Sequence, residues 1–136
     1  MKKTNWIYHV ITPLSSLLIC DHYISQEIYR YKSLSWIRIS GNDLIKNKNY
    51  NQIKDLDKIH VEISKINFFV EEVLPILQTN NIRIILFTTM INLDKNLKSV
   101  SEFTDRILNH DNILLWISHN PIYSNNIKYM GFPYGI

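Results

Sequence analysis

From Ile59 onward the apolar residues switch repeatedly between alternating and helical spacing, and each switch marks an element. Ile59, Val61 and Ile63 alternate with His60 and Glu62, the period-two pattern of a strand with one buried face. Ser64 stands where an N-cap belongs. Ile66, Phe69, Val70, Val73, Leu74 and Leu77 then follow at the spacing that lines one side of a helix. Pro75 removes a backbone donor inside that helix and predicts a kinked last turn, and Asn80-Asn81 ends it. Ile82 to Phe87 is short, β-branched and almost continuously apolar, which suits a strand buried on both faces of a parallel sheet.

A polar loop follows Thr88-Thr89. Ser99-Val100-Ser101-Glu102 then places a carboxylate three residues after a hydroxyl, the capping-box pattern that opens a helix. Val100, Phe103, Ile107 and Leu108 give this helix an apolar side, and it runs out near His110. Ile113 to Ile117 supplies a third strand and Ile127 to Met130 a weaker fourth, before Gly131 and Pro133. Strands alternating with helices of this length predict an α/β fold with right-handed parallel crossovers.

The first half carries a weaker pattern. Leu17 to Cys20 and Leu34 to Ile39 are predicted strands, with a helix between them near Ser25 to Lys32. Gly41 to Asp57 is polar and predicts short helices or loop. The apolar stretch Val10 to Cys20 follows Lys2 and Lys3 as a leader sequence would. His9 and Pro13 interrupt it, however, and Ile19 is not the small residue that cleavage before Cys20 requires, so it reads as a buried strand or short helix. It is also too short to span a bilayer. With no repeat, low-complexity tract or linker, the 136 residues predict one domain.

Composition narrows the function classes. Apolar residues make up 46% and charged residues 20%, the balance of a folded globular chain. The net charge of +3 is spread among acidic residues, with no basic run to track a phosphate backbone, so nucleic acid is not an expected partner. A single cysteine, Cys20, excludes an internal disulfide and a cysteine-based metal site, and the expected compartment is the cytoplasm. The five histidines, His9, His22, His60, His110 and His119, lack a second His or Glu at ligand spacing, so no metal is expected. Three glycines leave no phosphate-binding Gly loop and no nucleophile elbow. Ser40-Gly41-Asn42-Asp43 superficially matches an esterase block but is one residue short, and reads as a turn in which Asn42 or Asp43 caps a short helix.

Position is more informative than motif. Ligands of open parallel sheets bind outside the carboxyl ends of the strands. Here those ends carry Ser64-Lys65, Thr88-Thr89, Ser118-His119-Asn120 and Pro133-Tyr134-Gly135, with hydroxyl, amide, imidazole and flexible backbone groups suited to a polyhydroxylated ligand. Thr88, Thr89, Ser118, Asn120 and Gly135 are the expected substrate-binding residues.

Several segments of the second half also resemble one family. Asn67 to Pro75 followed by Arg83 to Thr89 is similar to the aromatic-rich helix ending in Leu-Pro, and the strand after it, of exostosin-like and related GT-B-type glycosyltransferases. Ile107 to Trp116 with His119-Asn120, and then Ile127 to Ile136, resemble the segments that follow in those proteins. The resemblance covers Ile59 to Ile136 and departs from the family pattern at Thr89-Met90. It implies a Rossmann-like open, mostly parallel sheet with helices on both faces, equivalent to the N-terminal, acceptor-side half of a two-domain enzyme. The implied reaction is transfer of a sugar from a nucleotide sugar to a glycan or other hydroxyl acceptor, with no cofactor. His119 is the candidate base, because imidazole titrates near neutral pH and the acceptor hydroxyl must lose a proton. The alternative is a non-catalytic binding or assembly module whose aromatics Trp6, Tyr23, Tyr29 and Tyr31 cover a partner. A half-enzyme would expose an apolar face, to be covered by a C-terminal domain or by a second copy of the chain.

Overall fold

The computed structural model describes residues 17–25, 39–89, 105–118 and 128–131. Six strands form one all-parallel sheet: β1 (His22–Ile24), β2 (Asn42–Asp43), β3 (Asp57–Glu62), β4 (Ile84–Thr89), β5 (Ile113–Ser118) and β6 (Tyr129–Gly131). Their order across the sheet is β2-β1-β3-β4-β5-β6. The expected α/β, Rossmann-like arrangement is therefore the observed one. The strands expected from 59, 82 and 113 are the adjacent β3, β4 and β5.

Register sorts the side chains into two faces. Ile24, Val61 and Thr88 align across β1, β3 and β4, as do His22, Ile59 and Leu86. On this face Ile24, Ile59, Val61, Ile84, Leu86 and Trp116 merge into the main core with three helical segments. These are α1 (Leu44–Asn47), α2 (residues 66–79) and α3 (residues 105–108), which contribute Leu44, then Phe69, Val70, Val73 and Leu77, then Ile107 and Leu108. On the opposite face Phe87 packs with Cys20, and Tyr23 packs with Leu17 of a helical turn at 17–19.

The central position of β3 changes the reading of its alternation. A strand between two paired neighbours with both faces covered has no solvent side, and His60 and Glu62 are buried along with Ile59 and Val61. Burial pushes the His60 imidazole down to a pKa of about 3, because the charged form would lose its water.

Other expectations in the first half move. Leu17 to Cys20 forms a helical turn and a link rather than a strand, and β1 begins at His22, where Asp21 has already bonded the next strand. Asp21 donates its N–H to the Lys58 carbonyl at 2.9 Å and accepts the Lys58 N–H on Oδ2 at 2.8 Å. At the same end His22 Nε2 donates to Asp57 Oδ2 at 2.8 Å, while Asn42 Nδ2 faces His22 Nδ1 at 3.5 Å. Gly41 occupies a close approach before β2, where a Cβ would lie 3.0 Å from the Cys20 carbonyl oxygen and 3.2 Å from the Tyr23 ring. Ile39 is described and lies in no strand. The rest of the 34–39 strand, the 26–32 helix and the Ser99–Glu102 capping box fall outside the described residues.

The α2 helix shows how local sequence is overruled and obeyed within a few turns. Ser64 does not cap it. A 3₁₀ turn at Ile63–Lys65 intervenes, and the helix starts after Lys65 with no side-chain cap. Ahead of Pro75 the chain widens into a π-turn over Phe69–Val73 before Leu74–Thr79 continues as α-helix. A π-turn is one way a helix accommodates a residue that lacks an N–H and crowds the preceding turn. At the other end Asn81 takes a left-handed φ of 55°. Ile82 N–H then reaches the Leu77 carbonyl at 2.9 Å and Asn81 N–H the Gln78 carbonyl at 3.3 Å, the Schellman arrangement.

Asn112 ties this helix end to the sheet. It is buried, and its Nδ2 donates to the carbonyls of Leu77 at 3.1 Å and Ile82 at 2.8 Å. Its own carbonyl accepts from Ile84 at the start of β4 at 2.9 Å. Asn112→Ala removes both side-chain bonds from buried carbonyls and is expected to cost about 2 kcal/mol, at roughly 1 kcal/mol for each bond. Urea denaturation with an unchanged m-value checks it.

His60 sets a second expectation. Its folded pKa lies below its unfolded value of 6.5, so between about 3 and 6.5 the unfolded chain holds the extra proton. Stability is full above that window and falls with pH inside it, by up to about 1.4 kcal/mol per pH unit. Thermal melts from pH 7 to 5 should show this slope, and His60→Leu should flatten it.

Candidate functional site

The strand order reverses once. From β1 the sheet steps to β2 on one side, while β3 pairs with the opposite side of β1 and β4 to β6 continue in that direction. Chain connections diverge at such a point, and the crevice they leave outside the carboxyl ends is where ligands of these sheets bind. A crevice of about 560 Å³ lies there, lined by Ser25 just past β1, Asp43 ending β2, and Ser64 and Lys65 just past β3. Ile45 and Lys46 of α1 and Asn67 and Phe68 of α2 complete the lining. The volume falls within the range of small-molecule sites.

Local folding places each group. Asp43 has an extended backbone and accepts the N–H groups of Ile45 and Lys46 on Oδ1, both at 3.1 Å. It is thus the N-cap expected of the Asn42-Asp43 turn, and it is buried. That cap orients the single turn carrying Lys46. Ser25 is buried beneath the crevice, whereas Lys46, Ser64 and Asn67 are exposed and Lys65 is half-buried. Hydroxyl, amide and ammonium groups from four strand and helix ends therefore surround one apolar floor formed by Ile45 and Phe68.

Of the expected strand-end residues, Ser64 and Lys65 line this crevice. Thr88 and Ser118 are register partners at the carboxyl ends of β4 and β5, so they share an edge and a face, and both are buried. Thr88 Oγ1 accepts the Trp116 indole N–H at 2.8 Å, which commits that hydroxyl to holding two strands together. The Thr89 backbone pairs with Glu62. His119, Asn120 and Gly135 lie outside the described residues, as do Trp6, Tyr29 and Tyr31. Tyr23, expected to face a partner, is instead buried in the sheet at 2% exposure. Register places it beside His60 in the central strand.

Ser25, Asp43, Lys46 and Asn67 were not among the expected site residues. They come from four separate segments, and the strand order that unites them is not a property of any one of them. The one available signal was the turn at Asp43, which predicts a cap and hence a helix start near a strand end.

Elsewhere, His22 is occupied by Asp57 at the amino edge, opposite the crevice. The His110 pKa is lowered, mainly by partial burial, and its Nδ1 accepts the Asn112 N–H at 3.2 Å. Among the described residues no three His, Cys, Asp or Glu side chains group as metal ligands, and no helix is long and apolar enough to cross a membrane. No family model matches the sequence, and neither a curated protein nor a solved structure matches it.

The Thr88–Trp116 bond yields a prediction that separates packing from ligand contact. Thr88→Val should cost about 1 kcal/mol by removing the indole's acceptor, and Thr88→Ser should restore most of it. Equilibrium unfolding of the three proteins is the measurement.

Proposed function

We propose that this chain is a glycosyltransferase-like domain that holds a polyhydroxylated ligand, a carbohydrate or a nucleotide sugar, in the crevice between the carboxyl ends of β1 and β3. The observation that supports this reading most directly is the crevice itself. It lies at the single reversal of strand order and is lined by Ser25, Ser64, Asn67, Lys46 and Lys65 over an apolar floor. Sugars are recognised by such a mixture, with hydroxyl and amide groups meeting their hydroxyls and an aromatic or aliphatic surface meeting their C–H faces. Phe68 supplies that surface here. The segment resemblance from Ile59 to Ile136 agrees with this class of ligand.

In this reading transfer is metal-independent and uses no cofactor beyond the nucleotide sugar. His119, the next residue in the sequence after the last of β5, serves in this reading as the base that takes the acceptor's proton. Donor and acceptor must also be held with their reacting atoms about 3–3.5 Å apart for the reaction to be fast. A binding module would use the same crevice without that second requirement.

Titration of the purified protein with monosaccharides, oligosaccharides and nucleotide sugars, followed by NMR, should move resonances of Ser64, Asn67 and Phe68. Ser64→Trp, which fills the crevice from an exposed position, should abolish the response. Release of nucleotide in the presence of an acceptor, lost in His119→Ala, would establish transfer. Binding without release would establish the module instead. Failure of every sugar to bind at millimolar concentration would refute the crevice reading.

A further inference from the structure

The charges around the crevice do not balance. Lys46 and Lys65 contribute two ammonium groups and Asp43 the one carboxylate in the lining. Asp43 has already directed Oδ1 at two backbone N–H groups of α1. Neither lysine forms an ion pair or side-chain hydrogen bond among the described residues. Among the described residues the pairs Arg83–Asp55, Lys58–Asp21 and His22–Asp57 lie away from the crevice, at the opposite, amino ends of the strands. The positive end of the α2 dipole adds to the same field. Two ammonium groups against one carboxylate leave the crevice with an excess of positive charge, and an anion seated between the lysines relieves their repulsion while gaining two charge-assisted hydrogen bonds.

We infer that the crevice at the β1/β3 reversal selects an anionic form of its ligand, a polyhydroxylated small molecule whose phosphate or carboxylate group is held by Lys46 and Lys65. This rests on the reading of the crevice as a ligand site and specifies the ligand's charge. The lysines grip the anion as flexible point charges on long stems, so phosphate and carboxylate share one chemistry here. Ser64, Asn67 and the Phe68 ring remain for the uncharged part of the molecule.

The experiment is a titration of the protein with glucose, glucose 1-phosphate, glucuronate and inorganic phosphate, at 50 and 500 mM salt. The expected result is that at least one of the two charged sugars binds tenfold or more tighter than glucose, and the better of the two identifies the source of the anion. Tenfold corresponds to about 1.4 kcal/mol. That preference should shrink at high salt, while the glucose affinity stays constant. Lys46→Ala and Lys65→Ala should each weaken the charged ligand three- to tenfold without affecting glucose. Lys65→Glu should abolish the preference, and Lys54→Ala, remote from the crevice, should change nothing. Circular dichroism establishes that each variant is folded, and the salt series on the unaltered protein gives a second readout that needs no variant.

Equal, salt-independent affinity for charged and neutral sugars would overturn the charge selection and leave the crevice reading intact. Inorganic phosphate binding as tightly as glucose 1-phosphate would support the lysine pair as an anion site and remove the sugar from the proposed function. No binding by any of the four would overturn both.

Discussion

Parallel pairing is the constraint from which the rest of this structure follows. Because every strand must begin at the same end of the sheet, no two neighbours can be joined by a tight turn, and each connection has to cross a face. β3 sits in the middle of this arrangement, bonded to β1 on one side and β4 on the other. Once β1 and β3 are paired while β2 occupies the far side of β1, the chain must leave the two central strands in different directions. The crevice is the geometric remainder of that divergence. It requires no special motif, which accounts for its assembly from ordinary Ser, Asn and Lys residues.

The two ends of the sheet are treated differently. At the amino ends, side chains close the gaps: Asp21 receives the Lys58 N–H, His22 donates to Asp57, and Asp57 also accepts the Lys54 N–H at 2.9 Å. At the carboxyl ends of β1 and β3, by contrast, the lining lysines are left to solvent. Side-chain bonds tie the strands together at the amino edge, while Lys46 and Lys65 stand at the carboxyl edge without an ion pair among the described residues. Other groups at the carboxyl edge are engaged in the fold: Asp43 caps α1, and the Thr88 hydroxyl accepts the Trp116 indole N–H.

The second half of the fold was legible in the sequence because its signals are local. Ile59, Val61 and the run from Ile82 to Phe87 declare strands through period and β-branching. Asn80-Asn81 declares a helix end because Asn tolerates the left-handed backbone that Asn81 adopts. The first half misleads for equally physical reasons. Leu17 to Cys20 is apolar because a helical turn packs Leu17 on Tyr23, and a buried turn and a buried strand have the same composition over four residues. β2 is two residues long and has no period to read. His60 and Glu62 look like the wet side of a strand, and only the cover on both faces of the sheet around β3 makes them dry. Ser64 and Lys65 were recognisable as a strand end, but Ser25, Asp43 and Lys46 needed the strand order, which resides in long-range pairing.

Gly41 gives these observations an evolutionary reading. The position carries no reactive group, yet a Cβ placed there would lie tight against the Cys20 carbonyl and the Tyr23 ring, which must give by a few tenths of an ångström where β2 approaches β1. The substitutions open to this scaffold are accordingly uneven. Lys46 is exposed and Lys65 half-buried, and neither forms an ion pair among the described residues, so changing them leaves the way the crevice is built unaltered. Gly41 is held in place by the architecture alone. Sequence change on this scaffold is therefore limited by backbone clearance at Gly41 and by little more than solvent at Lys46, so the frame constrains its residues more tightly than the rim of the crevice does.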